Sequence, residues 1–181
     1  MEAYTDLYNE IAQRINTKIP EIKWVDLWHE QISFLTEELP FPTPAVFIGL
    51  TTNKCDDYSL LIQECDMQVD FYLFFETFSD TYQGAYNQSS AITFLRLLTK
   101  LHTCFHGVSG TNYQTMRRVD MRREDSGGAG NLYRISFSFN TVDASAQKEY
   151  DETQINEIAI IPDNVERLVE SETEPLFHIP V

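Results

Sequence analysis

His102 and His106 stand four residues apart in a stretch that reads as a helix, a spacing that brings both imidazoles to one face, as zinc ligands require. Thr103, Cys104 and Phe105 lie between them, so the glutamate of a zinc-protease motif is missing. Cys104 falls off that face, and a third ligand would have to come from elsewhere, for example Cys65. The alternative is two histidines near a helix C-terminus, where positive charge suits the helix dipole. A second group, Asp56, Asp57, Glu64, Asp66 and Asp70, has the residue types of a metal-dependent nuclease. No lysine follows at a close same-face position, and Asp66 and Asp70 read as solvated strand positions. Cys104 or Cys65 as a nucleophile would need a histidine and an orienting group, and nothing local supplies them. Cys65 reads instead as a small core residue. There is no GxSxG, no GxGxxG opening a helix and no phosphate loop. Ser126-Gly127-Gly128-Ala129-Gly130 precedes a strand and lacks the lysine of a phosphate cradle, so it reads as a hairpin loop. The pattern assigns no catalytic residue, no metal ligand and no cofactor.

Arg117, Arg118, Arg122 and Arg123 form the one basic cluster of an acidic chain. Strict alternation along a strand puts Arg117 and Arg123 on one face and Arg118 and Arg122 on the other. Three roles stay open for them: a solvated edge strand protected by charge, a contact with the acidic tail of a neighbouring copy, and direct contact with DNA. Tyr72 and Phe74 are further candidates for a subunit interface. They break the alternation of their strand, so that end is covered either by a partner subunit or within its own chain.

These residues need elements to position them. Tyr4, Leu7, Tyr8, Ile11 and Ile15 fall on one stripe and predict a helix over 2–17, stopped before Pro20. Residues 22–31, alternating loosely around Trp24, Val25, Leu27 and Trp28, read as an extended segment. The three prolines of 39–44 lead into Ala45-Val46-Phe47-Ile48-Gly49-Leu50, a short strand, and 51–58 reads as a polar turn. Cys65, Met67, Val69, Phe71, Leu73 and Phe75 at every second position predict a long strand within 59–78. A helix is predicted over 89–106, with Ser89 as N-cap and Gly107 as its stop. Strands over 113–124 and 131–142 form a hairpin. In the second of them, Tyr133, Ile135, Phe137 and Phe139 share one face, and Arg134, Ser136 and Ser138 the other. This order predicts an α+β fold: a mostly antiparallel or mixed sheet with an N-terminal helix and one central helix on one face. The other face is expected to be polar and free to meet another subunit. Residues 1–143 form the domain, and 144–181 an acidic C-terminal extension with apolar islands at 158–161 and 176–181.

The chain has 181 residues and a formal net charge of −15, with 43% hydrophobic residues, enough for a real core. That charge argues against a general nucleic-acid binder and against an anionic membrane surface. Three cysteines without a CxxC predict free thiols and a cytoplasmic setting. No signal peptide and no membrane span are expected.

The element order resembles the tail terminator, or tail-completion, proteins of long-tailed bacteriophages. The stretches that carry the likeness are Leu7-Tyr8-Asn9-Glu10-Ile11, Phe41-Pro42-Thr43-Pro44 leading into Ala45-Val46-Phe47-Ile48-Gly49, Met67 to Phe75, and the closing Tyr133-Arg134-Ile135-Ser136-Phe137-Ser138-Phe139. The likeness covers about residues 3–142, and the acidic extension departs from it. The resemblance implies a non-enzymatic ring, commonly hexameric, that closes the tail tube and presents a surface to the head. Its partners would be other copies, the tube protein and the head–tail connector, with DNA only as passing cargo. Its location would be the virion neck, and the host cytoplasm during assembly. The competing expectations are a small metal-dependent, nuclease-like enzyme and an acidic adaptor or inhibitor.

Overall fold

A computed structural model describes residues 3–34, 41–76 and 81–147. The chain divides into two units, Met1–Lys148 and Glu149–Val181, and the second lies outside the described residues, as does nearly all of the acidic extension read from the sequence. The first unit is an α+β fold. Helix α1 (Ala3–Lys18) leads into a short strand β1 (Trp24–Leu27) and a 3₁₀ turn at Gln31–Phe34. Strands β2 (Ala45–Ser59) and β3 (Ile62–Phe75) form a long hairpin. Helices α2 (Gln88–Ala91) and α3 (Thr93–Phe105) follow, and β4 (Arg117–Glu124) and β5 (Asn131–Asp143) close the chain. The five strands lie in the order β1-β2-β3-β5-β4. Among the described residues only β1 and β2 run parallel, so the sheet is mixed.

One sheet face packs on the helices. Leu7, Ile11 and Ile15 of α1 meet Phe94, Leu97, Leu98, Leu101 and Phe105 of α3, over Val69, Phe71, Ile135 and Phe137 from the central strands. The helical stripe and the two-residue strand repeat thus bury each other. Phe71 is sandwiched by aromatic neighbours, with ring centroids 4.6 Å from Phe105 and 5.7 Å from Phe137. Glu10 ties α1 to the loop before β4: its carboxylate accepts the backbone N–H groups of Thr111 at 2.7 Å and Asn112 at 2.8 Å. Gly110 permits this approach, since a side chain there would collide with Glu10 and Tyr113.

The structure departs from the sequence reading at several points. Residues 51–58, read as a turn, are the second half of β2. They stay in the ladder because all but the bulged Asn53 and Tyr58 pair with β3, although every one is exposed. The actual turn is Leu60-Leu61, where Leu61 takes a φ of 61°. The helix over 89–106 is split at Ile92, whose φ of −97° and ψ of 7° leave helical geometry. Asn87, not Ser89, occupies the N-cap position of α2. Residues 113–116 are not strand; Tyr113 and Met116 are buried as core side chains instead.

The face away from the helices is not simply open. At one end Ala45, Phe47, Phe74 and Leu132 form a second apolar cluster, closed by Ile32 and Phe41 from the β1–β2 connection. Phe74 is fully buried there, with its ring centroid 6.0 Å from that of Phe41. It is therefore corrected as an interface candidate, because its own chain seals it. Tyr72 is half-buried and stacks on Trp28 at 4.0 Å. Burial first, and the Asp70 charge second, push the Tyr72 phenol above its ordinary pKa.

Candidate assembly surface

The arginine cluster lies on β4, an outer strand that among the described residues pairs with β5 alone. The register slips between Arg118 and Asp120, which leaves Val119 as a bulge. A bulge inserts one residue and reverses the parity of everything after it. Arg117 lies opposite Ser138, Arg122 opposite Arg134, and Glu124 opposite Leu132, all on the face away from the helices. Arg118 lies opposite Phe137 and Arg123 opposite Tyr133, on the helix face. The expected pairing of Arg117 with Arg123 and of Arg118 with Arg122 is thus overturned: Arg117 goes with Arg122, and Arg118 with Arg123.

The shared face lets four charges close a ladder. Arg122 Nε lies 2.9 Å from Glu124 and 3.7 Å from Asp120. Arg134 reaches Asp120 at 3.4 Å, and its Nε sits 3.0 Å from Glu124, close enough for an ion pair but off-line for a hydrogen bond. The Glu124 hydrogen bond raises the Arg122 pKa above its ordinary value. Arg122 is therefore engaged within its own chain. Arg117, Arg118 and Arg123 are exposed, and among the described residues no carboxylate lies within ion-pair distance of them. The acidic tail weighed as their contact lies outside the described residues.

The histidines sit directly behind β4. Their ring centroids are 4.7 Å apart. His106 Nδ1 accepts the backbone N–H of Arg118 at 3.1 Å, which docks the end of α3 onto β4. His102 Nδ1 is buried without a partner among the described residues. Burial first, then the positive charges of Arg118 and His106, hold the His102 pKa below its ordinary value. Among the described residues no three His, Cys, Asp or Glu side chains gather as a metal set.

Cys65, the suggested third ligand, is not free. It is disulfide-bonded to Cys55 across the β2–β3 hairpin, with a Cα–Cα distance of 4.1 Å. The expectation of three free thiols fails for this pair because antiparallel pairing places the two residues directly opposite each other. Cys104 is the free thiol, buried under α1, and burial raises its pKa. That environment disfavours the thiolate a nucleophile needs.

The carboxylates are dispersed along the hairpin. Asp56 pairs with Lys54 at 2.6 Å, Asp57 accepts from Gln63 at 3.0 Å, and Glu64 accepts from Asn140 at 3.2 Å. Asp57 lies on the helix side of the ladder, while Asp56, Glu64, Asp66 and Asp70 lie on the other side. Asp70, expected to be solvated, is buried and held by Ser136 and by Gln68 at 3.0 Å. Asp66 and Asp70 are about 13 Å apart at strand rise, too far to share one metal.

An open trough of about 960 Å³ lies beside the last residues of β5, lined by Thr111, Asn112, Gln114, Arg117, Asn140 and Thr141 among others. It presents amides, hydroxyls and one guanidinium, with no nucleophile–base pair. Its wall is fixed by the Thr141 hydroxyl, which donates to the Asn112 carbonyl at 2.6 Å.

No known protein-family model matches this chain, and no curated protein sequence matches it. Among the described residues no helix is long and apolar enough to cross a membrane.

Proposed function

We propose that this chain is a non-enzymatic structural protein of a phage or prophage tail, of the tail-terminator kind. Copies close into a ring, expected to be hexameric, that caps the tail tube and joins it to the head. The observation that carries the reading is the outer strand β4, whose Arg117, Arg118 and Arg123 lack a carboxylate partner among the described residues. A second support is that three of the groups weighed for chemistry are engaged inside the chain: Cys65 in a disulfide, Asp70 on Ser136 and Gln68, and His106 on the Arg118 backbone.

The partners under this reading are sister copies, the tube protein and the head–tail connector. The net charge of −15 suits a conduit for DNA, since like charge keeps phosphates from adhering. The protein would act in the virion neck after assembly in the host cytoplasm. Electron microscopy of particles assembled without the chain tests the role. Overlong tubes, or tails lacking heads, are expected. Joined tails of normal length would remove termination as its function.

A further inference from the structure

The two open edges of the sheet carry opposite unspent charge. β1 covers β2 only over Ala45–Ile48. From Thr51 to Ser59 β2 has β3 on one side and, among the described residues, no strand on the other, and every residue there is exposed. At the far end of the sheet β4 is likewise paired on one side only. A strand edge of this kind is a template for another strand.

The β2–β3 arm holds Asp57 on the edge strand β2 and, one strand further in, Glu64 and Asp66 on β3, none within ion-pair distance of a cation among the described residues. β4 holds the three unpaired arginines. Each edge also exposes apolar side chains: Tyr58 and Leu60 at the arm, 74% and 75% exposed, and Val119 and Met121 on β4, 57% and 46% exposed.

We infer that β4 of one copy receives the distal half of β2 from the next copy, so that the arm carboxylates meet Arg117, Arg118 and Arg123 while Tyr58 and Leu60 cover Val119 and Met121. This rests on the self-assembly reading above and names the surfaces that perform it. The occupant is a second copy because the same chain bears both complementary edges. Pairing β4 with β4 would set arginine against arginine, and pairing arm with arm would set carboxylate against carboxylate, both unfavourable. The contact is therefore head-to-tail, the kind that gives a ring where its rotation closes, rather than stopping at a two-fold dimer. The bulges at both edges, at Val119 and at Asn53 and Tyr58, discourage indiscriminate strand pairing and leave the charge match to choose the partner. The Cys55–Cys65 bond holds the arm in one register.

Charge reversal in the full-length chain tests this, read by light-scattering mass across concentration. Arg117→Glu with Arg118→Glu makes one variant, and Asp57→Lys with Asp66→Lys the other. All four positions are exposed, and circular dichroism and melting temperature verify that each variant folds. Each variant alone is expected to lose at least tenfold in self-association. An equimolar mixture is expected to regain wild-type mass, because each reversed edge then meets a complementary one. Wild-type assembly in either variant alone, or a mixture that stays dissociated, overturns the edge assignment and leaves self-assembly standing. A wild-type chain that stays monomeric, with and without tube protein, overturns both.

Discussion

His102 is where one residue's environment becomes a measurable property of the molecule. Burial and the neighbouring charges of Arg118 and His106 make it harder to protonate folded than unfolded. The unfolded chain therefore takes up the proton first as pH falls. The His102 contribution is intact above the ordinary histidine value of about 6.5 and declines as pH drops from there toward its lowered folded value. Thermal melts between pH 7 and 5 should show a fall in stability that His102→Asn reduces, and Arg118→Gln should raise the His102 pKa in an NMR titration. A His102 that titrates at or above the ordinary value would contradict this environment. The i, i+4 spacing of the histidines was plain in the sequence. What it could not reveal is that His106 is committed to the Arg118 backbone. The arginines were also plain, but their faces were misread, because Val119 gives no local sign that it bulges. Cys55 and Cys65 did carry a signal: they are symmetric about Leu60, the start of the hairpin turn.

The β2–β3 hairpin shows at the level of elements where periodicity succeeds and where it fails. β3 and β5 each have one face against the helices, so their alternation is strong and was read correctly. α1 was legible from its stripe, and α3 too, apart from the break at Ile92. The second half of β2 is exposed on both faces, so no hydrophobic alternation marks it. Its turn, Leu60-Leu61, also lacks the glycine or asparagine that advertises a hairpin. The strand persists there because β3 pairs with it and the disulfide closes it. Replacing both Cys55 and Cys65 by serine should lower stability by about 2–3 kcal/mol, the loop-closure contribution for a ring of this size. Urea unfolding with and without reductant measures the same difference in the natural chain. Indifference to reductant would mean that the bond does not form in solution.

For the molecule as a whole, the sequence was sufficient for the layer arrangement. Two amphipathic helices and alternating strands have only a few ways to bury their apolar faces, and helices on one side of a mixed sheet is among the simplest. The second apolar cluster was not foreseen. Its parts, Ile32, Phe41, Phe47, Phe74 and Leu132, are scattered over the chain and show no shared period. That cluster narrows the surface left for assembly to the polar end of the sheet and its two edges. Charge sharpens the picture further: with 28 acidic residues against 13 lysines and arginines, the β4 arginines that lack a carboxylate partner among the described residues are a distinctive feature. Under the proposed assembly, a copy that carries both a basic and an acidic edge is completed by its neighbours through the complementarity of those edges.

Sedimentation equilibrium of the full chain over a wide concentration range asks the central question without intermediaries. The chain weighs 21.0 kDa, and the account predicts a transition to one closed species at six times that mass, on its own or once tube protein is added. A constant 21.0 kDa under both conditions would contradict it.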